Sequence, residues 1–87
     1  MTKKQSLKKS IHLICEEMLA ECMAAIHYGD NNSENGHALL FSIVKLEDDF
    51  ISRISHLEPG MPAKTYYGKL REDFAAKASE LIDQINN

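Results

Sequence analysis

Residues 37–57 read HALLFSIVKLEDDFISRISHL, and this stretch decides the fold. Leu39, Ile43, Leu46, Phe50, Ile54 and Leu57 recur every three or four residues, and Leu40, Val44 and Ile51 widen the stripe. That is α-helical spacing, with an apolar face broad enough to meet two neighbours. Glu47 falls within that face, one turn from Ile43 and Val44 and one turn from Ile51 and Ile54. A carboxylate placed there must reach a rim, find a hydrogen-bond partner or stay protonated.

Working outward, the chain supplies one partner helix on each side. Upstream, nothing breaks a helix as far as Tyr28, and Thr2-Lys3-Lys4-Gln5 has the form of a capping box. Leu7, Ile11, Ile14, Met18 and Ala25 mark one edge of its apolar face; Cys15, Leu19, Cys22 and Ile26 mark the centre. Leu13, Ala20 and Ala24 lie behind that face, so this helix is apolar or small around most of its circumference. Such a pattern predicts burial on more than one side.

The segment Gly29 to Gly36 (GDNNSENG) is the clearest break, with Gly29 suited to a left-handed helix end and a cap for the next helix at 31–33. It is not a calcium loop. Counted from Asp30, the sixth and twelfth positions hold Asn35 and Phe41 where an EF-hand needs Gly and Glu. Downstream, Pro59-Gly60-Met61-Pro62 makes a corner, with Pro62 as the expected first residue of a third helix. Tyr67, Leu70, Phe74, Ala78, Leu81 and Ile85 form its narrower stripe.

The prediction is therefore an all-α chain forming one domain over residues 1–87, with helices at about 3–28, 34–57 and 62–85. Short loops imply a three-helix, up-down-up antiparallel bundle that dimerises into a larger helical bundle. A long hairpin of the first two helices, with the third lying across a partner chain, uses the same stripes.

The whole-chain properties narrow function mainly by exclusion. Eighty-seven residues, 44% hydrophobic and 26% charged, are those of an ordinary soluble domain near the lower size limit for a single core. A net charge of −3 makes nucleic acid an unlikely main partner, although Lys3, Lys4, Lys8 and Lys9 form a basic start. Cys15 and Cys22, seven residues apart on one helix, are separated by about 10.5 Å, too far to bridge. They read as reduced core residues of a cytoplasmic protein. Glu16, Glu17 and Glu21 cut the preceding apolar run short of a membrane segment.

There is no Gly-rich phosphate loop, no nucleophile elbow and no cysteine flanked by activating groups, so no catalysis and no cofactor are expected. A helix-turn-helix does not fit these long helices. His12 and Glu16 share a helical face, and with Glu47 they form the only metal-binding set worth naming. The Glu-x-x-His pair of di-iron bundles is absent.

The leading expectation is a small cytoplasmic protein that acts by association, as a homodimer or an adaptor for another protein, through Leu13, Ala20, Ala24 and Phe41. Glu47 and His12 are its expected interior polar residues. A metal- or small-ligand-binding bundle using His12, Glu16 and Glu47 is the alternative. A regulatory DNA-associated protein using the N-terminal lysines comes third.

Overall fold

The computed structural model of the chain describes residues 3–28 and 33–86. These form three α-helices: α1 (Lys3–Tyr28), α2 (Ser33–Ser55) and α3 (Ala63–Asn86). Cys22 meets Gly36 and His12 meets Glu47, so α1 and α2 run antiparallel. Tyr66 reaches Arg53 and Phe74 lies against Phe50, so α3 reverses direction again. The all-α, three-helix bundle expected from the stripes is what forms, and α3 folds back on its own chain. The capping box at Thr2, the turn residue Gly29, and Asn31 and Asn32 of the expected cap lie outside the described residues.

The core is the set of stripe positions. Ile11, Cys15, Met18 and Cys22 on α1 meet Ile43, Phe50 and Ile54 on α2, all essentially solvent-free. Leu70, Phe74, Ala78 and Ile85 close the core from α3. Burying each large side chain contributes about 1.5–3 kcal/mol, so this seam accounts for most of the driving force. Phe50 and Phe74 pack edge to face with centroids 5.4 Å apart, a geometry that adds about 0.5–1.5 kcal/mol.

Two boundaries differ from expectation, each for a local reason. First, α2 ends at Ser55, not Leu57. The His56 amide donates to the Arg53 carbonyl at 3.2 Å, tightening the last turn, and Leu57 leaves the stripe for solvent. Second, α3 begins at Ala63, because the Pro62 carbonyl already accepts the Tyr66 amide at 3.0 Å and Pro62 is the cap. Between them the Met61 amide donates to the Glu58 carbonyl at 3.3 Å, with Pro59 next and Gly60 at φ 83°. That is a type II turn, and its third position requires glycine. Gly36, the last residue of the break, falls within the helix expected from residue 34. It is buried inside α2, where a Cβ would come within 2.5 Å of Ile26 Cγ1, so α1 and α2 approach more closely there than any side chain allows.

The wide apolar circumference of α1 is also not buried all round. Leu13, Ala20 and Ala24 are exposed, and only one side of the helix is in the core.

Gly36 yields a prediction in which two effects compete. Alanine favours a helix interior by about 1 kcal/mol, but overpacking a close contact costs about 1–3 kcal/mol. Gly36→Ala is therefore expected to lower stability in urea denaturation, and to cost less when Ile26→Ala removes the opposing side chain. Equal costs in both backgrounds would contradict the close approach.

Candidate functional site

The chain's polar centre forms where two helical registers meet. On α1, residues 12, 16, 19 and 23 share a stripe, and on α2 residues 40, 44, 47 and 51 do. Both stripes lie at the edge of the core seam, and His12 Nδ1 contacts Glu47 Oε1 at 2.5 Å across them. On the other edge of the ring, His12 Nε2 lies 3.2 Å from Glu16 Oε1. The cleft around the pair, about 750 Å³, is lined by α1, α2 and His56 just past the end of α2, with Lys8, Lys9 and Asp48 among the lining residues and none from α3. The face that carries the pair is therefore the one α3 leaves uncovered.

The two members of the pair are placed differently from the interior position expected of them. Glu47 reaches the rim with its side chain 20% exposed, and His12 is 56% exposed. Among the described residues no polar side chain is buried in the core. The physical reason is the wheel position, which leaves a chain as long as glutamate free to bend out of the seam toward α1. Tyr66 and Tyr67 do not approach the pair and cap the end of α2. The Tyr66 hydroxyl lies 2.9 Å from the Arg53 carbonyl and 3.1 Å from that of His56, and Tyr67 donates to Ile54. Helix-terminal carbonyls lack intrahelical donors, so these hydroxyls satisfy groups the sequence stripe does not reveal.

Chemically, the contacts of His12 favour its charged form. Its pKa is raised, first by the hydrogen bond to Glu47, then by the Glu16 charge. Only the imidazolium can donate from both nitrogens at once. The same geometry works against a shared metal. Glu16 and Glu47 occupy different nitrogens of one ring, so one ion cannot take all three donors. Among the described residues no group of three or more His, Cys, Asp or Glu is placed to hold a metal ion. The thiols are set for packing. Burial, helped by the Glu47 charge, pushes Cys15 up to about 11, and burial raises Cys22, so both stay protonated at neutral pH.

Beyond the pair, the same face is apolar. Leu19 and Leu40 are half-buried, while Met23 and Val44 are 49% and 46% exposed. Of the four residues expected to form an association surface, Phe41 is 69% exposed, with Lys45 Nζ 5.9 Å above its ring, and lies beside Leu40 at the outer edge of this face. Ala20 borders it from α1, adjoining Leu19. Leu13 and Ala24 are exposed further round the back of α1. The sequence reading placed Val44 on the apolar stripe of α2 but did not assign it, or Met23, to an association surface. The signal was their heptad-like spacing from His12 and Glu47.

At the bundle end where α1 and α3 begin, Lys3, Lys4, Lys64 and Arg71 line a second cleft of about 800 Å³ that no carboxylate enters. Lys8 and Lys9 of the basic start border the first cleft instead. Among the described residues no helix is long and apolar enough to cross a membrane. No family model, curated protein or solved structure matches the chain.

The His12 contacts give a pH dependence with a definite sign. A histidine whose pKa is raised on folding contributes stability that is fully present below its unfolded value near 6.5. That contribution is lost as pH rises through the folded pKa. The melting-temperature gap between the native chain and Glu47→Gln is therefore expected to be larger at pH 5.5 than at pH 8.5. An NMR titration of the His12 ring that returned the ordinary midpoint would contradict this.

Proposed function

We propose that the protein works by association, docking the α1/α2 face onto a second copy of itself or onto a helical partner. The observation that carries this is the half-exposed apolar stripe of Met23 and Val44, beside Leu19 and Leu40, on the side α3 does not cover. Contiguous apolar surface rimmed by polar groups is the usual mark of an interaction site. Here the polar rim is His12, Glu16 and Glu47 at one end of the stripe. Phe41 supplies a large exposed aromatic side chain, a residue type enriched at interfaces.

The test is sedimentation equilibrium on the full chain and on Met23→Glu/Val44→Glu. The native chain is expected to exceed its monomer mass of 9.8 kDa, with the variant returning to it while its circular dichroism stays helical. A native chain that stays at monomer mass at high concentration counts against self-association.

The cleft of Lys3, Lys4, Lys64 and Arg71 favours a second reading, docking of a phosphate backbone. Under it, duplex DNA binding followed by fluorescence anisotropy is expected to weaken steeply with salt and in Lys64→Glu/Arg71→Glu. Absence of binding at low salt removes that reading.

A further inference from the structure

The cleft at the bundle end where α1 and α3 begin gathers positive charge with nothing to neutralise it. Lys3 and Lys4 line it from α1, and Lys64 and Arg71 line it from α3. The chain has 13 Asp and Glu against 10 Lys and Arg, yet no described carboxylate lines this cleft. Among the described residues none of the four cations makes an ion pair. Holding four like charges together in a net-acidic chain costs self-repulsion that packing does not require.

Gly68 belongs to the same cleft. It lies within α3, where glycine weakens a helix relative to alanine. At Gly36 the close approach of Ile26 explains the missing side chain, but a Cβ at Gly68 would meet nothing within 4 Å. Packing therefore does not call for glycine there, and what its absent side chain provides is room in the cleft. Leu7 and Tyr67 give the cleft an apolar floor, both packed into the core, with the Tyr67 ring held by its hydroxyl bond to the Ile54 carbonyl at 3.5 Å.

We infer that this cleft binds a small phosphorylated ligand with a planar ring, of the nucleoside diphosphate class. The inference builds on the phosphate-docking reading of the cleft and names a small molecule as its occupant. Charge, chemistry, size and shape each favour that occupant. A phosphate group carries roughly −1.5 to −2 charges at pH 7, so four cations match two linked phosphates better than one. Arg71 offers a planar fork that fits phosphate oxygens, and the lysines act as point charges. The volume of about 800 Å³ falls within the roughly 300–1,000 Å³ of small-ligand sites. The floor of Leu7, Tyr67 and Gly68 gives a ring an apolar surface to lie on, with the phosphates at the cationic rim. A duplex backbone is tracked by an extended basic face, whereas these cations come from two helix starts around one recess.

The test is calorimetric titration of the full chain at low salt with adenosine diphosphate, beside adenosine, pyrophosphate and a short DNA duplex. Adenosine diphosphate is expected to bind, adenosine to leave no signal, and pyrophosphate to bind more weakly than the nucleotide. Lys64→Ala/Arg71→Ala is expected to weaken nucleotide binding about tenfold or more. Gly68→Leu is expected to weaken it as much while its melting temperature stays at or above the native value, because leucine favours the helix and its Cβ meets no neighbour. Adenosine or pyrophosphate binding as tightly as the nucleotide, or Gly68→Leu binding it as the native chain does, would each overturn the small-ligand assignment. A duplex that binds where the nucleotide does not would overturn it too, while leaving the phosphate-backbone reading standing. Binding of neither would overturn both.

Discussion

The close approach of α1 and α2 at Gly36 is the constraint on which the rest of the bundle depends. With no side chain at that position, Ile26 packs directly on the α2 backbone, and the Cys22 thiol donates to the Gly36 carbonyl at 3.4 Å. The contact brings the two helices together at one end of their seam. Toward the other end, His12 bridges to Glu47, so the antiparallel register is held at two points with the fully buried Cys15, Ile43 and Phe50 between them. A register slip would misplace both contacts together, one steric and one electrostatic.

The third helix is attached by a different kind of contact. Phe74 meets Phe50 edge to face, and Tyr66 and Tyr67 hydrogen-bond the last carbonyls of α2. Both anchors draw α3 to the seam from one side. A three-helix arrangement leaves the other side of α1 and α2 without a cover, and here that side carries a polar cleft around the His12–Glu47 pair and the exposed Met23 and Val44 beyond it. An ordinary soluble surface at those positions would carry short polar side chains. Met23, Val44 and Phe41 are instead exposed large apolar side chains, and the proposed association rests on them.

Much of this was legible in the chain itself. Apolar periodicity locates all three helices to within two residues, because burial of a stripe is an additive, local property of spacing. The pairing of His12 with Glu47 was less legible. Both residues lie at the margin of a stripe, but only the antiparallel register brings positions 35 apart in sequence to 2.5 Å. The interior place expected for the pair was not realised, since long polar side chains at a seam's edge reach solvent at little cost.

The sequence by itself determined the class of fold, the number and extent of the helices and most residues of the core, all of which follow from spacing along one chain. Tertiary structure alone decided that α1 and α2 approach most closely at Gly36, that Tyr66 and Tyr67 cap α2, and which face of the α1/α2 layer stays open. Those outcomes depend on how closely two helices approach and on which side a third one lies. Such distances arise between segments, and no periodicity within a segment encodes them.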